Sequence, residues 1–395
     1  MIYKEIENIA ANIEDEIISI RRHLHMNPEL SFKEFNTSKF ILNKLTEHGI
    51  EGAKIIGDTG VVVLIEGGSK EIDYKTVLLR GDIDALPIRE ETNLEFASCN
   101  EYMHACGHDA HISWTIGTAI VLNRIKDSLK GDVKVVFQMA EEVGGASKII
   151  EKGILENPAV NIAVAGHCWP SLEVGVIGIA KGVAMASTGG FKLEIKGRGG
   201  HGAEPHNCID PIAIGIDIYN SIQKIVSRRV DIKDPIVISI CSINSGSCSN
   251  IIPDTCTING TVRALSYEKL EEVNSIINKI SKSTCDIYGG ECNIKFSMGL
   301  HPVINNKSLI NSAVDSLSKH INKDNIKLID HPAMTGEDFS EFTRRIPGLF
   351  IYIGSTNEEN GINHKLHSCK FDIDENVLKV AIVTFSRFIY DYISE

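Results

Sequence analysis

The chain has 395 residues, 43% of them apolar and 23% charged, with a formal charge of -12 and a pI near 5.6. That length carries two to three domains of about 150 residues each, and those proportions supply a core of ordinary size. The acidic balance excludes nucleic acid or an anionic membrane surface as the main partner, because both select Lys/Arg-rich faces.

The N-terminal stretch "MIYKEIENIAANIEDEII" is acidic and amphipathic and lacks the basic and apolar regions of a signal peptide. Residues 4–25 read as a helix, with Ile6, Ile9, Ile13, Ile17, Ile18 and Ile20 on its apolar side. "NPEL" breaks it, and "FKEFNTSKFILNKLTEHGI" reads as a second helix stopped at Gly49. Strand-like runs follow: "GVVVLIEGG", "KTVLLRGDID", "DVKVVFQMAEE" after a helix over about 110–128, and "AVAGHCW". Strands alternating with helices predict an α/β fold with a mixed, mostly parallel sheet flanked by helices. No apolar run approaches the ~18 residues that span a bilayer, so no membrane partner is expected.

Near residue 184 the pattern changes. "FKLEIKG" alternates, then a helix, "IVISICSI", "DTCTINGTVRAL", a second helix and "CNIKFSM" follow. This β-α-β-β-α-β order predicts an inserted α+β, ferredoxin-like domain over 184–299. Residues 1–183 and 300–395 then form one discontinuous domain. The ten cysteines, at 99, 106, 168, 208, 241, 248, 256, 285, 292 and 369, include no CxxC pair. They read as reduced thiols of a cytoplasmic protein.

Polar residues gather where the predicted strands end, which is where open α/β sheets bind ligands. Asp82 and Asp84 follow one strand, Glu141 and Glu142 another, and His167 a third. A loop with His364 and His367 follows "LFIYIG", and "EYMHACGHDAH" (101–111) precedes a helix. Each feature has an ordinary reading alone: a lone Cys106 is a buried thiol, a lone Glu pair a solvated helix start, a lone Asp82 or Asp84 a cap. Together at one rim they point to metal. Imidazole, thiolate and carboxylate suit Zn2+, Mn2+, Ni2+ or Co2+. Cys106, His108, Glu142, His167 and His367 supply five donors, enough for two ions ~3.5–4 Å apart with one donor shared. The adjacent Glu141 is then free to accept a proton from water. A nucleophilic Cys106 is the weaker reading, since it leaves Glu141, Glu142 and His367 without a purpose. "GRGGHG" (197–202) fits a dinucleotide fingerprint only formally, because "AEPHNCIDP" intervenes where a helix must begin.

The stretches "RRHLHMNPELSFKE", "RGDIDALPI", "HACGHDAH", "MAEE", "GHCWP", "GRGGHGAEPH", "GSCSNIIPDTCTINGTVR" and "GEDFS", with His367 in "KLHS", occur in this order over nearly the whole chain. They resemble the M20 metallopeptidase superfamily in its amidohydrolase branch, which holds N-acyl-L-amino-acid amidohydrolases, hippurate hydrolases, auxin-conjugate hydrolases and N-acetyldiaminopimelate deacetylases. The resemblance implies a catalytic domain with two divalent ions, ligated by Cys106, His108, Glu142, His167 and His367. It makes Glu141 the general base and Asp84 the residue that orients a ligand. It implies that His201, in the inserted domain, meets the reacting carbonyl, often from a neighbouring subunit. It gives Asn250 and Arg263 the substrate carboxylate, and the inserted domain a part in homodimerisation. The expected substrate is a small N-acyl amino acid, cut to a carboxylic acid and a free amino acid. A carboxypeptidase or dipeptidase, and a catalytically silent metal-binding protein, are the alternatives. The sequence departs from the family at Gly81, where alanine is usual, and at Thr335, where glycine or serine is common.

Overall fold

The computed structural model describes residues 2–69 and 74–394. The chain forms two compact units. The first takes the residues up to Ala184, Ile304–His331 and the chain from Asp338 onward; the second takes Met185–Val303 and Pro332–Glu337. The short return of 332–337 to the second unit has no periodicity to mark it in the sequence.

The first unit is built on an eight-stranded sheet. Its order is Lys54–Ile56, Gly60–Ile65, Asp132–Gln138, Thr76–Asp82, Ile162–Glu173, Gly348–Thr356, Ile177–Ala180 and Ile326–Ile329. The central four, from Asp132–Gln138 to Gly348–Thr356, run parallel, and antiparallel pairings lie outside them. Thr76–Asp82 and Asp132–Gln138 are buried at every position. That explains their unbroken apolar runs, since helices cover both faces of a parallel sheet. The expected helix over 110–128 spans His108–Arg124, is buried from His108 to Leu122, and packs against helices Glu14–Met26 and Asn376–Ser394. It is apolar all round because it is covered all round. The single helix expected over 4–25 is two, Ile2–Asn12 and Glu14–Met26.

One expected strand end needs correction. The run "AVAGHCW" does not stop before His167; the strand continues to Glu173. It continues because Gly348–Thr356 pairs alongside, with Tyr352 opposite His167. On its other side, pairing with Thr76–Asp82 ends at Ala165. His167 therefore lies two residues beyond the point where the strands part, and the splayed side is open to a ligand.

The second unit has a four-stranded antiparallel sheet in the order Ile236–Ser245, Thr255–Ala264, Ser187–Lys196, Glu291–Met298. Helices Pro211–Arg229 and Tyr267–Tyr288 pack on it. Phe191, Leu193 and Ile195 of the central strand meet Ile214, Ile218, Val273 and Ile277 in one core. The strands in chain order thus take sheet positions 3, 1, 2 and 4, the ferredoxin-like interleaving the sequence predicts. Among the described residues no helix is long and apolar enough to cross a membrane.

Gly81 is explained by its neighbour across the sheet–helix interface. A Cβ there would stand 2.5 Å from Thr115 Oγ1 and 3.0 Å from the main-chain oxygen of His111. The branched Thr115 fills the space a methyl group would need. We expect Gly81→Ala to destabilise the protein by about 1–3 kcal/mol through overpacking. Thr115→Ala in the same background should return most of that loss, as read from denaturant midpoints.

Candidate metal centre

The site begins at the carboxyl end of Thr76–Asp82. Arg80, wholly buried, gives Nε to Gln138 Oε1 at 2.9 Å, Nη1 to Asp82 Oδ2 at 2.6 Å and Nη2 to Asp338 Oδ1 at 2.9 Å. Burial alone would raise the Asp82 carboxyl, but Arg80, His108 and His111 hold it well below the usual carboxylate range. Its other oxygen takes the Nδ1 proton of His111 at 2.5 Å. His111 Nε2 in turn accepts the Cys168 amide at 3.0 Å. Both His111 nitrogens are spent, which fixes the tautomer and leaves the ring no position for a metal.

Two residues on, the buried Asp84 carboxylate accepts the main-chain amides of Glu141 at 3.0 Å and Glu142 at 3.1 Å, and the Ser31 hydroxyl at 2.7 Å. Glu34 Oε1 accepts the amide of Ala140 at 2.8 Å, and Ala140 takes a left-handed φ of 55°. The chain is thereby turned sharply after Asp132–Gln138, and the Glu141–Val143 turn is set over the strand ends.

"HACGHDAH" enters its helix through Gly107 at φ 85°, where a Cβ would lie 3.1 Å from Cys168 Sγ. Only glycine allows both that conformation and that approach. His108 Nδ1 bonds the Asp84 main-chain oxygen at 2.9 Å and lies 3.3 Å from its Oδ1. Nε2 is buried with no hydrogen-bond partner. Burial works against a charge on this ring, yet Asp82, Asp84 and Glu142 push it up to about 10. Such a cage attracts a cation. His167 donates Nδ1–H to the Cys168 oxygen at 2.7 Å and turns Nε2 to Cys106 Sγ at 3.3 Å. Burial lowers His167 to about 4, so that Nε2 carries a lone pair at neutral pH.

His367 sits on a loop at φ 63°, half exposed, with its amide bonded to the Ala105 oxygen at 2.8 Å. Its Nε2 is 3.4 Å from Glu142 Oε1, which has no hydrogen-bond partner. His364, on the same loop, is exposed.

Candidate ligand atoms fall into triads within 4.8 Å of one another, among them Cys106, His108 and His167; Cys106, Glu142 and His367; His108, Glu141 and Glu142; and Asp82, His108 and His111, the last with both His111 nitrogens already bonded. Two donors on one tetrahedral ion at ~2.0–2.3 Å stand roughly 3.3–3.8 Å apart. The Cys106–His167 and Glu142–His367 separations, 3.3 and 3.4 Å, fit that spacing. So does the mixed S, N and O donor set. Cys106 is common to the first two triads.

The second unit holds the remaining candidates. His201 pairs with Ile251 in a two-residue strand, and the Gly202 amide bonds the Asn250 oxygen at 2.8 Å. Both side chains are exposed. Arg263 gives Nη1 to Thr261 Oγ1 at 2.6 Å and to the Val262 oxygen at 3.0 Å. It pairs with Thr188, at the far end of the sheet from the Lys196–Thr255 pairing that leads to His201. Eight residues of strand separate the two ends, about 25 Å. The structure brings His201 and Asn250 together but not Asn250 and Arg263. Sequence reasoning did not single out Arg80, His111 or Asp338, whose sole signal was their place inside the quoted motifs.

Residues 78–391 match the model of peptidase family M20/M25/M40. The chain is 39% identical over 383 residues to thermostable carboxypeptidase 2 of Saccharolobus solfataricus, covering 95% of each. It is 38% identical over 384 residues to the N-acetyl-L-cysteine deacetylase of Bacillus subtilis, covering 96% of this chain and 88% of that one. Its fold superposes with a TM-score of 0.83 on the Bacillus subtilis YXEP protein, a dinuclear metal binding peptidase from the M20 family. That structure is 34% identical, and the match covers 97% of this chain and 99% of the other. The chain therefore belongs to peptidase family M20/M25/M40, as a hydrolase of amide C–N bonds.

Proposed function

We propose that the protein is a metal-dependent N-acyl-L-amino-acid amidohydrolase. One observation carries the reading: two three-donor clusters share Cys106, and the buried Glu141 stands beside them. The similarity to an N-acetyl-L-cysteine deacetylase supports the substrate class, and that to a dinuclear M20 protein supports two divalent ions. Cys106, His108 and His167 would hold one ion, and Cys106, Glu142 and His367 the other, with the thiolate shared. When bound, such ions supply Lewis acidity and lower the pKa of water towards ~7.

The chain's own groups do the rest. Glu141 accepts a proton from the attacking water as the C–O bond forms. It returns that proton to the leaving nitrogen as the C–N bond breaks, which yields a carboxylic acid and a free amino acid. Its main-chain amide is fixed by Asp84, and its Oε1 accepts the amide of Asp338 at 3.3 Å. His201 donates to the developing oxyanion, a contribution of about 3 kcal/mol per donor. Arg263 offers the substrate carboxylate a planar fork.

The function is that of a homodimer joined through the second unit. Arg263 lies at one end of the four-stranded sheet and His201 beyond the other, in the two-stranded pair with Ile251, too far apart to grip one small substrate from the same copy. Among the described residues no strand pairs with the outer side of the edge strand Ile236–Ser245, which exposes Val237 and Ile243. Helix Pro211–Arg229 exposes Ile212, Ile216, Tyr219 and Val226. Ten free cysteines, one of them offered as a ligand, suit a cytoplasmic setting. The test of substrate class is hydrolysis of N-acetyl amino acids against dipeptides with divalent ions added. Faster cleavage of dipeptides would favour a carboxypeptidase, in keeping with the Saccharolobus relative.

Three outcomes are expected. Glu141→Gln keeps normal metal content but loses about 10²–10⁴-fold in kcat, the range of general-base work. Cys106 resists alkylation in the metal-loaded protein and reacts once a chelator is added, as mass spectrometry would show; an acyl group trapped on Cys106 would oppose this. Arg263→Ala raises KM for N-acyl amino acids but not for the matching amides without a carboxylate, whereas His201→Ala lowers kcat on both.

A further inference from the structure

The His367 half of the centre is the less secure half. His108 opens a buried helix and His167 lies within a strand, but His367 stands half exposed on a loop that runs without helix or strand from Gly361 to Asp374. Main-chain bonds dock this loop at several points, among them the His367 amide to the Ala105 oxygen, the Glu91 amide to the Cys369 oxygen at 2.7 Å and the Asp374 amide to the Ser355 oxygen at 3.0 Å. A further attachment is made by a buried side chain. Arg21, in helix Glu14–Met26, is 1% exposed. Its Nε gives to Asp109 Oδ2 at 2.8 Å, in the first turn of the helix that His108 opens. Its Nη2 gives to Asp372 Oδ1 at 2.8 Å and its Nη1 lies 3.3 Å from Glu375 Oε1, both at the end of the His367 loop. His25 Nδ1 holds the same Asp109 oxygen at 2.8 Å, and its Nε2 reaches Glu90 Oε1 at 3.1 Å. Phe96 lies against the guanidinium, 4.9 Å from Cζ to ring centre.

We infer that Arg21 is a positioning residue that locks the His367 loop to the Cys106–His108 turn and so sets the affinity of the Cys106–Glu142–His367 half of the centre. The guanidinium serves three carboxylates in three directions, one on the helix side and two on the loop side. Its rigid fork suits that task, and the single point charge of lysine does not. No substrate or reacting atom need touch it. The inference rests on the reading of those residues as metal ligands.

The experiment titrates the metal-free full chain with Zn2+ against a competing chelator, with bound metal counted by mass spectrometry. Wild type should show two binding constants, and His367→Ala should weaken one of them. Asp372→Ala with Glu375→Ala cuts the clamp on the loop side, at carboxylates about a fifth exposed, and leaves the buried Arg21–Asp109 pair intact. This double variant should weaken the same constant by about 10–100-fold, the usual cost of losing an outer partner of a ligand. The other constant should not move, even if loss of two charge partners of the buried Arg21 lowers the metal-free melting temperature. Arg21→Met should weaken that constant at least as much, and Arg21→Lys should not restore it. If His367→Ala weakens one constant and the double variant neither, the positioning role is overturned and the metal reading stands. If the double variant weakens both constants alike, Arg21 is a general structural residue and the inference is overturned. If His367→Ala changes neither constant, the metal reading itself falls and takes this inference with it.

Discussion

Much of this site hangs on one buried carboxylate. Asp84 accepts the amides of Glu141 and Glu142, the hydroxyl of Ser31 and the approach of the His108 ring. Four segments far apart in sequence are thereby held to one point. The His108 ring above all, and the Ser31 hydroxyl, favour the ionised form that burial would otherwise oppose. A carboxylate so satisfied is a rigid template. It sets where Glu141 and Glu142, the proposed proton acceptor and the proposed ligand, stand before any substrate arrives, which is the preorganisation catalysis requires.

Behind Asp84 lies a second buried layer, Asp338–Arg80–Asp82–His111. Asp338 also takes Gln138 Nε2 at 2.8 Å and the Ala146 amide at 2.8 Å. Every member has its partner, the condition under which buried charge is tolerated. Removing one member leaves the rest unpaired, at a cost of about 3–5 kcal/mol. The layer turns His111 away from ligation and keeps His108 Nε2 and His167 Nε2 as the imidazole nitrogens available on that side.

The parts of this architecture that obey a local period were legible in the sequence. The unbroken strand runs, the alternation of "FKLEIKG" and the 3.6-residue stripes follow from which faces are covered, and they place Asp82, Glu141 and Glu142 at strand ends. The reach of the strand through His167 was not legible, because it depends on pairing with Gly348–Thr356, some 180 residues later. The same holds for Arg80 and Asp338, whose bond spans 258 positions. The role of His111 was not legible either, because it depends on Asp82 and the Cys168 amide, which occupy both its nitrogens. Arg263 and Asn250 share a unit, but strand register alone puts them at opposite ends.

The position of Cys106 in both triads has a consequence for damage. A thiol can be lost to a single two-electron oxidation, thiolate to sulfenic acid by a peroxide, with a hydroxyl added to sulfur. Where donors are separate, such a lesion empties half of a centre and leaves an intermediate species. Here one altered sulfur withdraws a donor from both clusters at once. On the proposed ligand set, oxidation of this one thiol would weaken both halves of the centre together, and a reductant that restores the thiol would restore both.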